Sequence, residues 1–448
     1  MSGAEPAPRP HAWHARLATA ALCFQAFFAM THFGHQLKPE YGAIAALLAL
    51  LAAGGARWRA LAGHPLPWLV LAFTAYAILQ AAYAAHVVPA IPFDKQLSAN
   101  AEPVRVGVFT CVIGAWLADD PRWMPRLLAL MVAGFVLAVL VYAPWRDLGA
   151  VVDGTLRLRF DEAENIVGEF AAIGLLLVLY ALAAPAPRRR GVFAVALAAT
   201  GALLLACLLY AQSRAAWLAV MLMLPIAFFH LRDGARVSTR RMAAAFALAA
   251  LAVAGTLYSG HALIVQRFAG GEAIARAVAQ RDLAALPHTS AAVRVQLVAL
   301  GLRAWWAHPV LGNGLQSIAP MIAASGIHIG GYVPPHLHNT YLQAAVGLGG
   351  AGAALLAVTF GVLLRELRRA RRAGLVDSAL YRALLGSLGI VLVVNAFDFL
   401  LWRFNHLRAP LELVLGCCFA LSLRLRHAAT VPPPDAQGKR KSQRVPLG

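Results

Sequence analysis

The chain has 448 residues, 60% of them hydrophobic, a mean hydropathy of +0.66 and a formal net charge of +19. A nucleic-acid-binding reading would need a soluble basic domain. The 39 Lys and Arg instead lie mostly between apolar runs, so the charge speaks of membrane topology and attraction to anionic headgroups.

Apolar runs of roughly 15–25 residues, enough to span a bilayer, occur near 17–33, 41–55, 66–86, 104–118, 127–145, 165–184, 192–210, 214–230, 242–259, 338–364, 382–402 and 409–425. They predict an all-α integral membrane protein with about twelve transmembrane helices. The first run follows Arg9 and Arg16 as a signal peptide would, but the many later runs make it a retained first helix. Cys23, Cys111, Cys207, Cys417 and Cys418 all fall inside apolar runs and read as small buried hydrophobes, not as a disulfide framework.

Arginine placement sets the orientation. With both termini inside, the inner segments hold Arg57 and Arg59, Arg122 and Arg126, Arg188 to Arg190, Arg232 to Arg241 and Arg365 to Arg372. The short outer loops are poorer in basic residues, as the positive-inside rule requires. The chain then divides into helices and short loops over 1–259, an outer segment over 260–337, further helices over 338–426, and a tail over 427–448. That tail, with Pro432 to Pro434 and scattered Lys and Arg, has a composition typical of disorder.

Charges within the apolar runs are few. Glu169, Arg214, Asp398 and Glu412 all fall toward outer ends, with Arg105 and Arg408 near them. A transporter would place its polar groups near the midplane. This pattern predicts a site level with the outer headgroups. The outer loop over 146–164 adds Arg157 and Arg159, which share a side if the segment is extended.

The segment 260–337 is too long for a simple connector and is not disordered in composition. Stretches 262–285 and 291–307 read as helices able to lie along the membrane interface, with Trp305 and Trp306 needing a surface to bury against. An ordered, mostly helical lid is expected, hinged at Gly270-Gly271 and Gly330-Gly331. Arg294 and Arg303, nine residues apart, face opposite sides of one helix, so only one of them can meet a given phosphate.

The densest polar stretch is Pro334-Pro335-His336-Leu337-His338-Asn339-Thr340-Tyr341-Leu342-Gln343, at the mouth of the tenth apolar run. Asn339 or Thr340 suits a helix N-cap. Capping does not explain the histidine, because an imidazole at a membrane helix is costly unless it serves a purpose. A metal site is not expected. His336 and His338 diverge if helical, no acidic residue adjoins them, and no Asp-x-Asp pair occurs on an outer loop.

Taken in order, these pieces resemble the O-antigen ligase and polymerase superfamily, the ligase branch in particular. The matching elements are Arg159 with Asn165, Gln212-Ser213-Arg214-Ala215-Ala216-Trp217, Arg294 with His308-Pro309-x-x-Gly312-x-Gly314, and His338-Asn339-Thr340-Tyr341-Leu342 with the Gly347–Gly350 cluster. The chain departs from the family's Gly and Pro at 160–164, where it has Phe160-Asp161-Glu162-Ala163-Glu164. The resemblance implies a GT-C-like glycosyltransferase of the inner membrane of a Gram-negative bacterium, with its site on the periplasmic face. It would move O-antigen polysaccharide from undecaprenyl pyrophosphate to lipid A–core oligosaccharide, inverting the anomeric carbon, without metal or cofactor.

His338 would then be the general base. Arg214, Arg294 and Arg159 would bind the pyrophosphate, with Asn339, Tyr341, His336 and Asp398 in support. An O-antigen polymerase or a protein O-oligosaccharyltransferase would share these motifs. A non-enzymatic flippase would need charge in a central cavity, which the pattern lacks.

Overall fold

The computed structural model describes residues 12–31, 38–159, 164–183, 190–229, 265, 270–282, 285–287, 289–400 and 408–430. Among them the regular elements are helical, apart from one isolated bridge between Ile329 and Tyr332. In chain order they are α1 (Ala12–Phe28), α2 (Glu40–Ala53), α3 (Ala56–Ala62), α4 (Pro65–Val87), α5 (Phe93–Leu117), α6 (Trp123–Tyr142), α7 (Leu148–Val152), α8 (Glu164–Ala183), α9 (Arg190–Tyr210) and α10 (Arg214–Phe229). After the segment around 230–269 come α11 (Gly271–Ala279), α12 (Ser290–Ala307), α13 (Ile318–Ala324), α14 (Thr340–Arg372), α15 (Ser378–Asn395) and α16 (Ala409–Thr430).

Among the described residues six helices are long and apolar enough to cross a membrane: α4, α6, α8, α9, α14 and α15. This is a multi-pass membrane protein. The other expected spans take different forms. Runs 17–33, 41–55 and 214–230 become α1, α2 and α10, apolar but of 17, 14 and 16 residues. Run 104–118 is the second half of α5, whose first half carries Asp94, Lys95, Glu102 and Arg105. Run 409–425 lies in α16, which contains Glu412 and Arg424, and 242–259 lies outside the described residues. Helix α16 also continues through Thr430, into the stretch expected to begin the tail.

The core is a continuous apolar cluster drawn from α1, α2, α5, α6, α8, α9, α15 and α16. Small residues permit the close approaches. A Cβ on Gly134 would meet the Phe27 carbonyl oxygen at 1.9 Å, and one on Gly42 would meet that of Ala21 at 2.3 Å. In a bilayer, where burial from water does not drive helices together, such packing supplies much of the association.

Hydrogen bonds of Asn165 and His338 to Asp398, and the shared electrostatics of Asp398, Arg294 and Arg214, gather the N-termini of α8, α10 and α14 with the C-terminus of α15 at one end. The arginine-rich C-terminal turn of α14, Arg369, Arg371 and Arg372, lies at the other. The charges expected to form one site divide into two groups at the first end. Arg408, only 1% exposed, pairs with Glu40 at 2.8 Å, Glu412 at 3.2 Å and Glu102, while Gln25 Nε2 donates to Glu412 at 3.0 Å. Arg105 pairs with Glu102 at 2.7 Å. This cluster ties α1, α2, α5 and α16 together.

Removing one partner of a buried ion pair strands the others and costs about 3–5 kcal/mol. Arg408→Met is therefore expected to lower the thermal unfolding temperature in detergent markedly. An unfolding temperature equal to that of the parent would show that the cluster holds nothing together.

Helix α14 is broken. Gly349 has φ 67 and ψ 177, so the apolar run over 338–364 is two helices joined at a kink, a break that run length and hydropathy do not register.

Candidate functional site

Local structure places the histidines first. Asn339 is extended and caps α14, its Oδ1 accepting the Leu342 N–H at 2.9 Å. Its Nδ2 donates to the Ala396 carbonyl at 2.9 Å, so the same side chain fastens the start of α14 to the end of α15. Thr340 Oγ1 donates to Asn395 Oδ1 at 2.8 Å, and Tyr341 Oη donates to the Leu392 carbonyl at 2.6 Å. Tyr341 is thus an anchor between two helices and is half exposed.

His338 has φ 51, left-handed backbone that a residue with a Cβ adopts at a cost of order 1 kcal/mol or more. The strain turns its ring beside His336, with centroids 4.2 Å apart, and toward Asp398. His338 Nδ1 lies 3.1 Å from Asp398 Oδ1. An ionised carboxylate only accepts, so this bond puts the imidazole proton on Nδ1 and leaves Nε2 with a lone pair.

Asp398 is buried, and its carboxylate is fully engaged. Oδ1 also accepts the Phe399 N–H at 2.8 Å, and Oδ2 accepts Asn165 Nδ2 at 2.5 Å. Burial alone pushes this carboxyl up. The His338 hydrogen bond, the electrostatics of the two imidazoles and the Phe399 amide outweigh it and hold the group below the usual carboxylate range. Sequence separation hid this partner: the acid that adjoins the two histidines comes 60 residues after His338, from the end of α15.

The expectation that nothing acidic lies beside the histidines is therefore corrected. Ligand atoms of His336, His338 and Asp398 lie within 4.8 Å of one another, a spacing at which a cation can sit. The hydrogen bonds favour another use. His336 Nδ1 accepts the His338 N–H at 3.3 Å, and His338 Nδ1 is committed to Asp398, so both imidazole Nδ1 atoms are already engaged.

Arg294 approaches from α12. The guanidinium is largely buried, and its Nε has no hydrogen-bond partner among the described residues. Burial lowers its pKa; the Asp398 charge opposes that and the neighbouring Arg214 adds to it, so all three groups share one field. Arg303 is exposed on the other face of α12, as the nine-residue spacing implies.

Arg214 opens α10 immediately after a turn in which Gln212 has φ 51. Arg157 builds that turn: its guanidinium donates to the Ala211 carbonyl at 3.0 Å and the Gln212 carbonyl at 3.3 Å, and pairs with Glu164 at 3.0 Å. Arg159, nearby in the same loop, is exposed. The structure thus brings together His336, His338, Asp398, Arg214 and Arg294 and leaves Arg159 at the margin.

Two further residues join them. Asn165 binds Asp398 directly, and Glu169, one turn deeper on α8, is buried and within electrostatic reach of the Asp398 carboxylate. Asn395, fully buried and bound to Thr340, escaped the sequence reading because a lone amide in an apolar run carries no pattern.

Residues 199–357 match the family model described as O-antigen ligase. That match supports a place in the O-antigen ligase family, and the matched segment holds Arg214, Arg294, His336 and His338. No curated protein compared with the chain matches it.

Proposed function

We propose that the chain is an inverting glycosyltransferase that moves O-antigen polysaccharide from undecaprenyl pyrophosphate to lipid A–core oligosaccharide, at the periplasmic face of a bacterial inner membrane. The observation that carries this reading is Arg294, whose largely buried guanidinium has an unpartnered Nε and lies beside a His338–Asp398 pair. A buried donor without a partner is costly. An anionic group arriving with the substrate relieves that cost, and guanidinium forks suit phosphate oxygens.

On this reading each group has a part in the chemistry. His338 Nε2 takes the proton of the acceptor hydroxyl as its oxygen attacks the anomeric carbon. Asp398 holds the Nδ1–H and stabilises the imidazolium that forms. The anomeric C–O bond breaks with its electrons going to the pyrophosphate, whose new charge Arg294 and Arg214 meet. Attack opposite the leaving group inverts the anomeric carbon, and the proton passes from His338 to the departing phosphate or to water.

The test supplies purified protein with lipid-linked glycan and three acceptors in turn: lipid A–core, a second lipid-linked glycan, and a pilin-like protein. Transfer to lipid A–core, retained in excess EDTA, is the expected result. Chain extension of the lipid-linked glycan would identify a polymerase instead, and transfer to the protein an oligosaccharyltransferase. Loss of activity in EDTA, restored by Mg²⁺ or Mn²⁺, would overturn metal independence and make His336, His338 and Asp398 a metal centre.

A further inference from the structure

The break in α14 frees backbone groups that must find partners elsewhere, because an unsatisfied amide or carbonyl in a dry interior is costly. The structure gives five of them partners. Gly350 N–H donates to the Pro309 carbonyl at 2.7 Å and Ala351 N–H to that of Val310 at 3.1 Å. The Val346 and Gly347 carbonyls accept the Asn313 and Gly314 amides at 2.7 and 2.9 Å, and the Leu348 carbonyl accepts Tyr76 Oη. The turn over 308–314 therefore works as a plug for the broken helix.

The glycines of both elements are required by that fit. Cβ atoms on Gly312 and Gly349 would come within 2.4 Å of the Gly349 nitrogen and 2.1 Å of the Val310 oxygen, and both residues have positive φ. Two sequence motifs that look independent, His308-Pro309-x-x-Gly312-x-Gly314 and the Gly347–Gly350 cluster, are halves of one joint.

A ladder of fully buried amides closes the joint from behind. Gln80 on α4 donates through Nε2 to the Gly347 carbonyl at 2.8 Å and the Leu311 carbonyl at 3.1 Å, touching both halves at once. Its Oε1 accepts Asn100 Nδ2 at 2.6 Å, from α5. Gln96, one turn before Asn100, accepts the Gln316 amide at 3.3 Å. None of these amides contacts His338, Asp398 or Arg294. Yet the joint lies where α12, which carries Arg294, runs out beside α14, which starts just after His338. Leu297 of α12 packs with Leu337 and Leu342 between them.

We propose that Gln80, braced by Asn100, is a positioning residue: it locks the plug into the broken helix and so fixes the distance between Arg294 and His338. This rests on the functional reading above. It also revises the expected lid. Hinges at Gly270-Gly271 and Gly330-Gly331 cannot swing Arg294 away from His338 without breaking the joint, so the phosphate-binding and proton-accepting groups form one rigid frame.

The experiment places spin labels at Arg303→Cys on α12 and Phe397→Cys after α15, both exposed, in a background without the five native cysteines. It then compares the parent with Gln80→Met, which keeps the volume and removes both donors. The inter-label distance distribution is expected to broaden or shift. Turnover should fall by about 10²-fold, the scale on which small misplacements of reacting groups act, while the directly measured affinity for lipid pyrophosphate changes little.

Asn100→Ala, which leaves the Gln80 donors in place, is the milder second variant should Gln80→Met fail to assemble, and is expected to show the same effects in smaller degree. An unchanged distance distribution overturns the proposal whatever the turnover does, as does a broadened distribution with parental turnover. If the parent itself transfers no glycan, the functional reading fails, and the distances still decide whether Gln80 holds the joint.

Discussion

His338→Ala is expected to abolish glycan transfer while expression, folding and donor binding persist. General base catalysis contributes roughly 10²–10⁴-fold, and His338 is well placed to supply it. Its Nδ1 is tied to Asp398, so Nε2 is the free basic atom. His336 cannot replace it, since its Nδ1 is occupied by the His338 amide and its ring is buried against Phe399, with centroids 5.6 Å apart.

Asp398→Asn discriminates base catalysis from a merely structural histidine. The amide keeps the volume but can donate to Nδ1, which would move the imidazole proton to Nε2 and block the base. Turnover should then fall nearly as far as in the alanine variant, with donor affinity kept. Near-parental turnover in His338→Ala, measured with saturating donor and acceptor, would remove the histidine from the mechanism.

Much of this frame is legible in the sequence, for physical reasons that can be named. An imidazole and an amide after two prolines, at the mouth of an apolar run, mark a helix start that capping alone does not explain. That is where Asn339 caps α14 and His338 takes its strained turn. The nine-residue spacing of Arg294 and Arg303 fixes opposite faces on any helix, and the structure has one turned in and one turned out.

What the sequence hides is of two kinds. Pairings across the fold, such as His338 with Asp398 or Asn165 with Asp398, leave no local spacing, so the acid beside the histidines went unseen. Departures from regularity inside an apolar run are equally silent. Residues 338–364 read as one span because hydropathy does not record a backbone dihedral, and Gln80 and Asn100 look like tolerated polar residues until their partners are known. Arg157 and Arg159 share a side if their segment is extended, yet Arg157 builds the turn before Arg214 while Arg159 is exposed.

Replacing Arg294 should separate binding from stability in a way that no structural arginine can match. A cation fastened to protein partners leaves them stranded when removed, and the fold weakens, as expected for Arg408 in its cluster. Arg294 has no such hydrogen-bonded partner among the described residues, and its buried Nε is unsatisfied. Arg294→Met is therefore expected to leave the thermal unfolding temperature of the substrate-free protein unchanged or raise it, because an unpaired buried donor is replaced by apolar volume. The same variant should lose lipid pyrophosphate binding by about 2–5 kcal/mol, roughly 30-fold to several thousand-fold at 1.4 kcal/mol per tenfold. Arg294→Lys restores the charge but not the planar fork, so its recovery should be partial. Full recovery with Lys would reduce Arg294 to generic electrostatics. A large fall in the unfolding temperature of Arg294→Met, without loss of donor affinity, would show that the guanidinium serves the fold and that the phosphate binds elsewhere.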